Sequence, residues 1–104
     1  MKRLLKPQFA ADWKAAYRPA MERVNEGGPW INVDAIMRQR LDEIAGQYGL
    51  DGLSAARLDT LNQAWSLARP WPDSVSGLSK LHEKFVLATL SNCTFHWLVA
   101  MAKA

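Results

Sequence analysis

The sequence predicts a mainly α-helical protein: a bundle of amphipathic helices, then a short α-β-α piece of an α/β core that lacks the rest of its parallel sheet. Three observations carry this expectation. Apolar residues recur at helical spacing through the first two thirds of the chain. The composition changes at Arg69-Pro70-Trp71-Pro72-Asp73, where a helix cannot continue. Beyond it, the run Phe85 to Leu90 is apolar throughout, as in a strand buried on both faces. The domains expected are therefore 1–68 for the helical part and 69–104 for linker, helix, strand and helix.

The first periodic segment runs from about Gln8 to Asn25, with Phe9, Trp13, Ala16, Tyr17, Ala20 and Val24 on one stripe. Pro19 lies inside it. A proline in a helix interior removes a donor and clashes one turn back, so a kink or break is expected between Ala15 and Arg18. Gly27-Gly28-Pro29 ends the segment. Asn32 is a good N-cap for the second helix. Val33, Ile36, Met37, Leu41, Ile44 and Tyr48 share its apolar face, with Arg38, Gln39, Asp42 and Glu43 opposite. Gly49 is placed to stop it in the left-handed conformation, with Leu50 folding back. Ser54 caps a third helix that turns Leu58, Leu61 and Trp65 inward. Three such helices with short connections make a small bundle.

After the proline-rich linker, a fourth helix from about Asp73 to Lys84 carries Val75, Leu78 and Leu81. The strand Phe85 to Leu90 follows, then a helix from about Thr94 with Phe95, Leu98, Val99 and Ala102 inward. A lone strand leaves main-chain donors and acceptors in need of neighbours, and the sequence offers no second convincing strand.

The net charge of +3 comes partly from Lys2, Arg3 and Lys6, and elsewhere the signs alternate. No basic stripe of the kind a nucleic-acid binder needs is visible. The opening Met1 to Lys6 resembles the start of a signal peptide but lacks the apolar run that should follow. No segment approaches the roughly 18 apolar residues of a membrane span. Cys93 is the only cysteine. One thiol makes neither an internal disulfide nor a zinc site, which fits a reducing, cytoplasmic compartment.

The chemistry-bearing feature is the end of the apolar run, Thr89-Leu90-Ser91-Asn92. In α/β folds, ligands bind beyond the carboxyl ends of strands. The first turn of a following helix presents free N–H groups suited to an anion. Ser91 and Asn92 can thus hold a carboxylate or phosphate, or simply cap the helix. His82 and His96 lack an acid–nucleophile pattern and read as surface or helix-end residues. Cys93 reads as a small buried residue beside a helix start. Trp13, Tyr17, Trp30 and Trp65 read as core rather than pocket lining.

Trp71-Pro72-Asp73, Gly77-Leu78, Leu81, Phe85-Val86, Ala88 to Asn92 and Leu98 to Lys103 closely resemble the middle of the L-2-haloacid dehalogenases, within the haloacid dehalogenase superfamily of hydrolases. Trp13, Tyr17 to Met21 and Asn62 to Trp65 resemble the helical cap of the same enzymes in the same register. The resemblance covers the chain from about Ala10 onward. It implies a cap bundle followed by part of a Rossmann-like core, and no cofactor or metal. It also implies nucleophilic catalysis by an aspartate at the end of the first core strand. That carboxylate displaces halide from a 2-haloalkanoic acid, and water hydrolyses the ester to a 2-hydroxy acid. By resemblance, Ser91 and Asn92 bind the substrate carboxylate. Lys14, after Trp13, matches a cap arginine that holds substrate and departing halide. Lysine keeps the charge there but loses the planar fork.

The chain departs from the family where the reaction starts. No apolar strand ending in Asp-X-X-Gly-Thr precedes Phe9, and Asp12, Asp34, Asp42, Asp51, Asp59 and Asp73 fall in helices or turns. The third-motif lysine is not matched by Lys103, and Cys93 replaces a usual glycine. The expectation is an internal piece of a dehalogenase without its nucleophile, inactive alone. A superfamily phosphatase would need magnesium-binding acids of the first and fourth motifs, and neither is present. The other reading is a non-catalytic helical module that docks or homodimerises by strand addition.

Overall fold

The computed structural model describes residues 7–103. The basic residues Lys2, Arg3 and Lys6, and the signal-like opening, lie outside them. Six α-helices follow one another: α1 (Pro7–Lys14), α2 (Tyr17–Asn25), α3 (Val33–Ile44), α4 (Ala55–Asn62), α5 (Ser74–His82) and α6 (Phe95–Lys103). Short 3-10 turns, Ala45–Tyr48 and Gln63–Ser66, extend α3 and α4. The chain divides into two compact units, one ending at Ala64 and the other beginning at Trp65.

In the first unit α3 is the helix on which α1, α2 and α4 all pack. Its inward stripe of Val33, Ile36, Met37, Leu41 and Ile44 is buried, as its spacing predicts. Phe9 and Trp13 come from α1, Ala20 from α2 and Leu58 from α4 to close the core. The Trp13 indole N–H donates to the Met37 carbonyl at 2.7 Å, so the one polar atom of this buried ring is satisfied. Phe9 lies against Trp13 with ring centroids 5.4 Å apart and meets Tyr48 edge-on at 5.0 Å.

The local signals work as expected. The Asn32 side chain accepts from the Ala35 N–H at 2.7 Å, and Ser54 does the same for Arg57 at 3.3 Å. Gly49 has φ +68°, and the Leu50 N–H returns to the Ala45 carbonyl at 2.8 Å. The chain breaks after Lys14, and Pro19 falls in the first turn of α2, where its missing N–H has no partner to lose. Gly27, at φ +91°, closes α2: its N–H and that of Gly28 reach back to the carbonyls of Val24 and Arg23. A Cβ at Gly28 would stand 2.6 Å from the Arg23 carbonyl oxygen.

The second unit departs from expectation. No strand forms among the described residues: 86–91 have no regular secondary structure. The sequence pattern of Phe85 to Leu90 is strand-like, but a strand exists only through its ladder, and no described segment pairs with it. None of the α5 side chains is buried, so Val75, Leu78 and Leu81 face outward. In α6 the buried side chain is Trp97, whereas Phe95 is 80% exposed and Ala102 is exposed as well. Amphipathic spacing shows which face seeks cover, not whether cover is present. Among the aromatic residues expected in the core, Trp13 is buried, Tyr17 and Trp65 are half-buried, and Trp30 is 77% exposed.

Candidate functional site

The turn between the apolar run and α6 is built by short side chains. Ser91 Oγ accepts from the Cys93 N–H at 3.2 Å. Thr94 caps α6: its Oγ1 takes the Trp97 N–H at 3.4 Å and its carbonyl the Leu98 N–H at 3.2 Å. The helix cap is thus Thr94, which leaves Ser91 and Asn92 in the turn ahead of it. Both are exposed. A hydroxyl that accepts one bond still has its own hydrogen to give, so Ser91 retains a donor for an anion. Cys93 is free and half-buried. No non-glycine residue described has positive φ, so the backbone at Cys93 does not require the glycine that usually stands there.

Lys14 belongs to the other unit. It is exposed at the last residue of α1, next to the buried Trp13. Trp13 is fixed by its bond to Met37, which sets where the following residue leaves the helix. His82 ends α5 and His96 is the second residue of α6, both at the surface.

Among the described residues of the first unit two grooves concern this site, and Lys14 lines neither of them. One, of about 630 Å³, lies between α2, the 26–31 loop and α3, and its wall includes Arg23, Trp30, Ile36, Gln39 and Glu43. The other, of about 270 Å³, is a polar notch between α3 and α4 lined by Asp34, Arg38, Asp59 and Asn62. Its charges are already engaged. Arg38 bridges Asp42 at 2.7 Å and Asp59 at 2.6 Å. Buried Asn62 donates to the Asp34 carbonyl at 3.1 Å and its carboxylate at 2.8 Å, pinning the end of α4 to the start of α3.

A second polar cluster fastens α1. Asp12 accepts from the Tyr48 hydroxyl and from the Gln8 amide, while Arg40 Nε reaches the Asp12 carbonyl at 2.9 Å. The Tyr48 hydrogen bond, then that of Gln8, hold the Asp12 carboxyl below the usual carboxylate range, and the same bond pushes the Tyr48 phenol up. Sequence spacing gave no warning of this cluster, because its members lie 28 and 36 residues apart. Among the described residues no group of three or more His, Cys, Asp or Glu side chains is placed to hold a metal ion. No described helix is long and apolar enough to cross a membrane.

Comparison with solved structures decides the relationship. Over 92% of its length the chain superposes on a defluorinating L-2-haloacid dehalogenase with a TM-score of 0.82 and 33% identity. Over 94% it superposes on a second L-2-haloacid dehalogenase with a TM-score of 0.81 and 36% identity. In sequence and in fold the chain matches part of an L-2-haloacid dehalogenase. It spans 40% and 43% of the length of those two enzymes. No protein-family model and no curated protein sequence matches it. The dehalogenase resemblance read from the Pro-Trp-Pro-Asp linker, the Ser91-Asn92 pair and the cap pattern therefore holds, on an alignment that runs through both units.

Proposed function

We propose that this chain supplies the cap and the substrate-carboxylate half of a 2-haloacid dehalogenase, and that the nucleophilic half lies outside these residues. On this reading, residues 1–68 form the cap and 69–104 a part of the Rossmann-like core, with 85–90 as one strand of its parallel sheet. The alignment with two dehalogenases at 33% and 36% identity is the observation that carries the proposal. The Ser91 turn supports it: a hydroxyl with a hydrogen to spare, beside Asn92, ahead of a capped helix. Ser91 and Asn92 would bind the carboxylate of a small 2-haloacid. Lys14 would add positive charge from the cap without the bidentate grip of an arginine. The lone thiol of Cys93 fits a cytoplasmic setting.

The full reaction needs an aspartate carboxylate to form a bond to the halogen-bearing carbon as the carbon–halogen bond breaks and halide leaves. Water then cleaves the ester at its carbonyl, returning the carboxylate and releasing a 2-hydroxy acid and a proton. Each of the six aspartates in the sequence lies in or beside a helix or turn, none at the end of an apolar strand. Asp12, the one with a perturbed carboxyl, is committed to Tyr48 and Gln8. The chain alone should therefore release no chloride from 2-chloropropionate, and clear turnover by the purified protein would overturn the proposal.

A further inference from the structure

The local sequence does not stop α1 at Lys14. Ala15 and Ala16 come next, the residue type that best continues a helix, and no glycine follows to close it. Pro19 excludes a helix that runs straight through, but it allows the break anywhere from Ala15 to Arg18. The stop at Lys14 therefore points to a contact from elsewhere in the fold. In a continuing helix the Asp12 carbonyl would accept from the Ala16 N–H, four residues on. Here it accepts from Arg40 Nε at 2.9 Å, across 28 residues of sequence. Carbonyls of a last helical turn lack a partner of their own, and a cation beside them suits the negative end of the helix. We propose that Arg40 is a positioning residue for Lys14: it fixes the end of α1 and so sets where the cap cation stands. This role rests on the dehalogenase reading of Lys14.

Arg40 is itself fixed. Its Nη1 donates to Glu43 at 2.9 Å, three residues along α3, so Nε is aimed at Asp12 while the far edge of the guanidinium is held. Two further bonds converge on the same end of α1. The Tyr48 hydroxyl donates to the Asp12 carboxylate, and the Trp13 indole N–H donates to the Met37 carbonyl at 2.7 Å. The two residues ahead of Lys14 are thus held at three atoms by α3 and the turn that follows it. Of the three contacts, that of Arg40 alone grips the main chain of α1. The Lys14 side chain is exposed. A lysine has a flexible stem and no planar fork, so the place of its charge depends on where its Cα is held.

Hydrogen exchange followed by NMR on the full chain reads the positioning. The Ala15 N–H donates to the Ala11 carbonyl at 2.9 Å, at the end that Arg40 holds. The Leu58 N–H of α4, bonded to Ser54 at 3.0 Å, reports on the unit as a whole. Arg40→Ala should speed exchange at Ala15 about tenfold more than at Leu58. Arg40→Lys keeps a charged donor and should recover most of that protection. Titration with 2-chloropropionate at constant ionic strength reads the function. The Lys14 side-chain signals should shift and saturate in the parent while those of exposed Lys80 stay still. Binding should weaken several-fold in Arg40→Ala and return in Arg40→Lys. No acceleration at Ala15 beyond that at Leu58 would overturn the positioning role and leave the dehalogenase reading intact. Anion binding at Lys14 that Arg40→Ala leaves unchanged would do the same. A Lys14 that ignores the anion in the parent, with Ala15 responding as expected, would overturn the assignment of Lys14 on which this role rests.

Discussion

Leu41 is the residue on which the first unit's stability should turn. It sits at the middle of α3 with 0% of its surface exposed, and α3 is the helix against which α1, α2 and α4 pack. Leu41→Ala removes about three carbon groups, worth roughly 2.4 kcal/mol at about 0.8 kcal/mol each. The cavity left behind adds to this, and buried Leu→Ala changes cost about 2–5 kcal/mol overall. At about 0.05–0.15 kcal/mol per residue, a unit of some 60 residues holds only about 3–9 kcal/mol in total. The substitution therefore consumes about a fifth of the stability available at the least, and all of it at the most. Urea unfolding followed by far-UV circular dichroism, with a slope near 1 kcal/mol/M for a unit of this size, should show the midpoint fall by about 3 M. The same truncation at Leu67, 71% exposed, should stay within about 0.5 kcal/mol. A loss below 1 kcal/mol at Leu41 would refute the claim that α3 is the centre of the core.

Two further expectations concern the polar fastenings. Asn32→Ala removes the side chain that caps α3 at Ala35 and should cost about 1 kcal/mol in the same urea titration; no measurable change would mean the cap is dispensable. The Asp12 carboxyl is held low by Tyr48 and Gln8, so its contribution is complete above the ordinary carboxylate value and is lost as pH falls through its lowered value. Tyr48 is raised, so the same contact holds below the ordinary phenol value and is lost as pH climbs through the raised one. Asp12→Asn should flatten the acid limb of a stability-against-pH curve, and an unchanged acid limb would count against the link.

What the sequence discloses follows the range of the interaction. Asn32, Gly49 and Pro19 act within one turn of themselves, and all three do in the structure what their chemistry dictates. The α3 stripe is equally legible, because five buried residues at helical spacing leave no other face to bury. The Asp12–Tyr48–Arg40 cluster is not legible, since it depends on how α1 lies against the end of α3. The second unit fails for a different reason. Val75, Leu78, Leu81 and Phe85 to Leu90 have the composition of buried elements, but burial needs a second surface, and the pattern of one segment does not supply it. The Ser91-Asn92 pair was visible as a feature of the sequence. The cap role that competes for it goes instead to Thr94, three residues before the Trp97 amide that it holds.

The central place of α3 has a consequence for the order in which the chain is made. α1 and α2 leave the ribosome before α3, and at 8 and 9 residues each falls short of the roughly 12–15 that an isolated helix needs to persist in water. Their apolar residues have nothing to settle on until Val33 to Ile44 has emerged. At about 5–20 residues per second, that interval lasts on the order of a second or more, with Phe9 and Trp13 open to whatever else is near the nascent chain. The helix made after α1 and α2 is therefore the one that lets both of them persist.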